Sequence, residues 1–110
     1  MPANLEANLD INKFYETARK DIKSLLTSVN GAAIYNASGS NVTFYVYNYS
    51  DGVNLIEAHH FLVAPDYYGT AAASGKFYKV MPNKNKDEEF LVAPNKAYIY
   101  RGPGKIEEVK

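Results

Sequence analysis

Three tyrosines, Tyr45, Tyr47 and Tyr49, recur at every second position of the segment NVTFYVYNY. On a pleated strand this spacing puts all three on one face, about 6.8 Å apart. An exposed row of phenols can stack on sugar rings or sit among lipid headgroups, with the hydroxyls making polar contacts. A helix or a partner subunit laid across the row would make it core instead, so exposure decides its role. Tyr67 and Tyr68 follow Pro65-Asp66 in an expected loop, where burial is hardest to arrange, and they are the first choice for ligand contact. Tyr35, Tyr98 and Tyr100 are further contributors.

The remaining chemistry-bearing groups do not assemble into a catalytic set. His59 and His60 are neighbours, so on a regular strand they point to opposite faces and cannot share an ion. A zinc site needs three or four convergent ligands, and nothing else is spaced to help. Glu57 and His59 share a face in a regular strand, and a carboxylate can orient an imidazole as a base. No obvious nucleophile stands in the same register, although the fold could bring Thr43, Ser50 or Ser74 near. The run KNKDEE from Lys84 lacks the central glycine and alternate oxygens of a calcium loop. GPGK at 102–105 is too short to cradle phosphate. There is no cysteine for thiolate chemistry or disulfides. The chain therefore reads as a non-catalytic binding protein, with no metal and no cofactor expected. Asn36, Asn41 and Asn48 open formal N-x-S/T glycosylation triplets, read here as turn and strand-end residues.

The elements that must position these groups follow from periodicity. Ile11, Tyr15, Ala18, Ile22, Leu25 and Val29 alternate in steps of four and three, the stripe of an amphipathic helix over residues 10–29. Phe14 and Leu26 broaden it, Asp10 or Asn8 can cap it, and Asn30-Gly31 is expected to end it. Ile11, Phe14, Tyr15, Ala18, Ile22 and Leu25 are the expected contact residues of that helix. It can cover a sheet of its own chain, pair with its twin in a homodimer, or lie on a membrane. Its balanced charges disfavour the membrane.

After Gly31 the period becomes two. Val42, Phe44 and Val46 alternate with the tyrosine row, and LIEAHHFLV, GTAAAS, KFYKVM, EEFLV, KAYIYR and KIEEV read as further strands separated by Gly, Pro and Asn. The expected fold is mainly β: an antiparallel sandwich of about six to eight strands over residues 32–110, immunoglobulin-like or lectin-like, in one domain spanning 1–110. The word FLVAP occurs twice, at 61–65 and 90–94. Proline cannot donate to a ladder, so each copy should end a strand or sit at an edge. Aligned onward, Gly75-Lys76 matches Gly104-Lys105 and Val80 matches Val109, either an internal duplication or two edge strands solving one problem.

Charge narrows the partners. Lys plus Arg balance Asp plus Glu, twelve each, which argues against nucleic acid, whose phosphates require a concentrated basic field. Between Lys23 and Lys76 there is no lysine or arginine, as befits core or a contact surface. The opening MPANLEANLD carries neither the basic nor the apolar region of a signal peptide, so a cytoplasmic location, or release without such a signal, is expected. In outline, through the helix from Asp10 to Val29 and the strands after it, the chain resembles the fungal immunomodulatory proteins. That resemblance implies dimerisation by the helix, and it carries over no functional residue. A second outline resemblance is to actinoporin-type cytolysins, against which the neutral helix counts. The leading expectation is recognition of a glycan or cell-surface ligand by tyrosines, in a homodimer with a defence, cytotoxic or immunomodulatory role. A membrane-active protein and a structural, stress-related oligomerising domain are the alternatives.

Overall fold

A computed structural model describes residues 5–8, 10–49 and 55–110, with side chains for 10–48 and 56–110. Its strands are β1 (Leu5–Asn8), β2 (Gly31–Asn36), β3 (Val42–Tyr49), β4 (Leu55–Val63), β5 (Tyr67–Ala72), β6 (Tyr78–Pro82), β7 (Phe90–Val92), β8 (Ala97–Tyr100) and β9 (Ile106–Glu108). They form a five-stranded sheet, β1-β5-β2-β8-β9, and a four-stranded sheet, β4-β3-β6-β7. The mainly-β sandwich is as expected, but with nine described strands rather than about six to eight, β1 and β2 being unforeseen, and with two differences in topology. β1 lies before the helix, at the edge of the larger sheet beside β5, where the sequence shows no run of alternation. And β2 pairs β8 in parallel, because β8 arrives from the other sheet rather than through a hairpin, which leaves its direction free.

Helix α1 (Ile11–Lys20) lies on the outer face of the five-stranded sheet, so the molecule has three layers and two cores. Between the sheets, Val42, Phe44 and Val46 of β3 meet Ala32 and Ile34 of β2 and Tyr98 and Tyr100 of β8. Beneath the helix, Phe14 packs with Ala33, Tyr35, Tyr68, Ala97 and Ile99. All six residues of β2 are buried, because it is covered on both faces. A strand in that position has no solvent side, which is why GAAIYN shows no alternation.

The helix is shorter than its stripe. Asp10 caps it, accepting from the amides of Asn12 and Lys13, but it ends at Lys20. A single 3-10 turn, Ile22–Leu25, then leads toward β2. A 3-10 turn repeats every three residues, so Ile22 and Leu25 still reach the core under the helix. Val29, the last member of the stripe, is 88% exposed. Gly31 is not a helix cap either: it opens β2, and a Cβ there would stand 2.6 Å from Thr70 Cγ2. Close approach of β5, not backbone freedom, requires glycine.

The repeated word has a structural answer. Both copies are edge strands of the four-stranded sheet, β4 and β7, at its opposite edges. In each the Val points into the core and the Leu outward. Each then turns through Ala-Pro-Asp or Ala-Pro-Asn into the other sheet, with φ of 65° at Asp66 and 63° at Asn95. Proline followed by a left-handed residue is the signature of a type II turn. The two turns grip opposite ends of β2: the Asp66 amide donates to the Asn36 carbonyl at 2.9 Å, and the Asn95 amide to the Gly31 carbonyl at 2.7 Å. The strands β3-β4-β5 and β6-β7-β8 are thus related by an approximate two-fold through β2. The likeness stops after β5 and β8. Gly75 and Gly104 are both left-handed, but β6 crosses to the other sheet whereas β9 folds back on β8. The matching of Val80 with Val109 therefore has no structural counterpart.

Candidate functional site: the open face of the four-stranded sheet

The helix covers only one sheet. On the outer face of the other, alternation along β3 places Thr43, Tyr45 and Tyr47 outward while Val42, Phe44 and Val46 are buried. Tyr45 stands opposite His60 on one side and Met81 on the other, and Tyr47 opposite Glu57 and Lys79. The Tyr45 ring stacks on the His60 imidazole with centroids 4.9 Å apart, and Lys84 Nζ lies 5.4 Å from the same ring centroid. His60 Nδ1 is 2.8 Å from Glu57 Oε2, and Lys79 Nζ donates to Glu89 Oε1 at 2.8 Å. Leu62 and Leu91 are exposed apolar side chains that alternate with the buried Phe61 and Val92, so they point outward on this face, and Phe77, just before β6, is also exposed. Tyr49 continues the row by register, and its side chain lies outside the described residues. Rings, apolar side chains and paired charges thus share one face of this sheet.

The other tyrosines are placed differently from expectation. Tyr67 and Tyr68 are not in a loop: they open β5. Tyr68 is 7% exposed, its ring 5.6 Å from Phe14 under the helix, and Tyr67 packs against the inter-sheet core. Tyr68 is thereby removed from direct ligand contact. Tyr35, Tyr78, Tyr98 and Tyr100 are buried, and each uses its hydroxyl to hold a segment. Tyr35 reaches Asp66 at 3.3 Å, Tyr78 the carbonyls of Asn30 and Ala71 at 3.0 Å, and Tyr100 donates to Glu88 at 2.7 Å. Tyr98 accepts from the Ala93 amide at 2.9 Å. Burial first, then the Asp66 carboxylate, push the Tyr35 phenol up to about 12. Burial likewise raises Tyr78, Tyr98 and Tyr100. Most of the aromatic content is architectural, because a buried phenol fills core volume and satisfies a loop carbonyl or amide at once.

The helix stripe is spent within the chain. Phe14 and Leu25 are buried, and Ile11, Tyr15, Ala18 and Ile22 pack against the same cluster. Phe14 and Leu25, two of the residues expected at a dimer contact, lie buried against the chain's own sheet. Tyr15 also joins a polar latch: its hydroxyl donates to Glu107 Oε2 at 2.8 Å and accepts from Arg101 Nη2 at 2.9 Å. The Tyr15 and Arg101 hydrogen bonds hold the Glu107 carboxyl below its ordinary range.

The acid–histidine pair is also rearranged. A bulge in the β3–β4 ladder between Val46 and Tyr47 breaks the alternation, so Glu57 meets His60 rather than His59. His59 turns inward, stacks on Phe61, and accepts the Ala72 amide on Nε2 at 3.0 Å. An imidazole engaged with a main-chain amide is not a free base. Asn36 is fully buried and its amide nitrogen donates to the carbonyls of Ser40 and Val63, so that triplet is structural. Among the described residues no group of three His, Cys, Asp or Glu side chains could hold a metal ion, and no helix is long and apolar enough to cross a membrane. Comparison with protein-family models, curated proteins and solved structures returns no match.

Proposed function

We propose that the protein is a non-catalytic recognition domain that binds glycans of a cell surface, in a lectin-like manner, on the open face of its four-stranded sheet. The observation that carries this reading is the asymmetry of cover. The helix shields the five-stranded sheet, while Tyr45 and Tyr47 keep part of their surface exposed on the other, beside His60, Glu57 and Lys79. Sugar rings have apolar C–H faces that stack on aromatic side chains and hydroxyls that bond to carboxylates, ammonium groups and imidazoles. The test is a glycan array with intact and variant protein. Tyr47→Ala and Tyr45→Ala are expected to weaken binding by about tenfold each, a loss of about 1.4 kcal/mol, with the fold retained by circular dichroism. An array on which the intact protein binds no sugar overturns the reading.

The exposed Leu62, Leu91 and Phe77 favour a second reading, in which this face meets a second copy. Light scattering separates the two: a stable dimer dissociated by Leu91→Lys, with no sugar bound, supports self-association.

A further inference from the structure

We infer that the cleft of about 300 Å³ at one end of the sandwich, between the 38–42 turn, Asn83 and the loop after β8, is a subsite for a single neutral sugar ring. The inference rests on the glycan-binding reading and extends it from the flat face to a concave pocket. Its volume is at the small end of ligand clefts, which run from about 300 to 1,000 Å³, and suits one ring rather than a nucleotide or a lipid chain. Its lining includes Ser40, Asn41, Asn83, Glu88, Tyr100 and Arg101. Hydroxyl and amide groups offer both donors and acceptors, as a ring of alternating hydroxyls demands. Glu88 and Arg101 bring one charge of each sign. That lining lacks the basic cluster a phosphate would need and the broad apolar walls a lipid would need.

The cleft is also preorganised, which lowers the entropic cost of binding. The buried Asn36 side chain fixes its turn, donating to the Ser40 carbonyl at 2.6 Å and accepting from the Ser38 amide at 3.0 Å. Glu88 is held by the Tyr100 hydroxyl at 2.7 Å and by Asn85 Nδ2 at 2.6 Å. Asn83 accepts the Thr43 amide at 3.1 Å. Lys84, next in the chain to the cleft residue Asn83, has its Nζ 5.4 Å from the centroid of the Tyr45 ring. A chain of sugars could lie across Tyr45 and Tyr47 with one terminal ring in the cleft.

The experiment is an amide-resolved NMR titration of the intact protein with methyl glycosides of glucose, galactose, mannose and N-acetylglucosamine. At least one is expected to shift the amides of Ser40, Asn41, Asn83 and Gly102 in a saturable way. Asn41→Ala removes an exposed side chain for which no structural hydrogen bond is seen among the described residues. It is expected to weaken that titration roughly fivefold, the loss of about one hydrogen bond. If the cleft amides stay still with all four probes, or titrate equally in Asn41→Ala, the subsite is overturned. Array binding that persists and depends on Tyr45 would then leave the flat-face reading standing, whereas silence in both experiments removes both.

Discussion

At the scale of single residues, the side chain that is absent at position 31 matters as much as many that are present. Gly31 lies where β2 begins, and an added Cβ would meet Thr70 Cγ2 at 2.6 Å and Ser28 Oγ at 3.0 Å. Thr70 is buried and β-branched, with its Oγ1 donating to the Leu25 carbonyl at 3.4 Å, so it cannot swing aside. Gly31→Ala should cost about 1–3 kcal/mol, read in urea denaturation as a lower midpoint. Thr70→Ser removes the offending methyl and keeps the hydroxyl, so the double variant should recover most of the loss. Recovery of nothing would mean that the cost lies in the backbone. The sequence marked this glycine, although for a helix cap; that a second strand presses on it is a contact between residues far apart in the chain and leaves no local trace.

At the scale of elements, the two proline turns join the sheets, and their chemistry was partly legible. Pro65 and Pro94 announce strand ends, and Asp or Asn after proline is a residue type that tolerates the left-handed region. Asn95→Gly should therefore be nearly neutral. Asn95→Val, β-branched at φ 63°, should cost about 1–2 kcal/mol, measured by thermal unfolding. Equal stability of the two variants would show that the turn does not need its left-handed residue. The helix shows the opposite case. Its stripe continues through Val29 in sequence, but the chain leaves the helix at Asp21, whose φ of −152° is extended. A 3-10 turn presents Ile22 and Leu25 three apart, as a helix also can, so periodicity alone could not tell them apart.

At the scale of the whole molecule, the buried titratable groups set a pH window. His59 is held neutral: burial lowers its pKa below the ordinary 6.5, and its Nε2 accepts the Ala72 amide, which a protonated ring could not do. The unfolded chain then binds more protons than the native one below about pH 6.5, so stability falls as pH drops through that region. His59→Gln should flatten this acid limb. On the alkaline side the signs reverse. The buried Tyr35, Tyr78, Tyr98 and Tyr100 keep their protons above the pH near 10 at which free phenols lose them. The unfolded chain binds fewer protons there, so stability declines from about pH 10 upward. A tyrosinate absorbance titration should show a late group, Tyr35, Tyr78, Tyr98 and Tyr100, that ionises only with loss of the fold. One smooth transition near pH 10 for all phenols would contradict the burial of Tyr35, Tyr78, Tyr98 and Tyr100. The same coupling argues against a freely detaching helix, because removing Phe14 would uncover Tyr35 and Tyr68. Phe14→Ala should destabilise the whole fold by about 3–5 kcal/mol.

By itself the amino-acid sequence determined that a helix precedes a pleated body, though not where the helix ends nor that β1 and β2 exist, and it determined which β3 residues face inward and that each FLVAP ends a strand. Those are consequences of local periodicity and of proline and glycine geometry, which act within a few residues. Only the tertiary structure decided which tyrosines are core and which are surface, that Glu57 meets His60, that β2 pairs β8 in parallel, and that the helix covers one sheet and leaves the other open. Each of these depends on layers meeting across long sequence separations, where an alternating strand reads alike whether its outer face meets a helix, a partner or water.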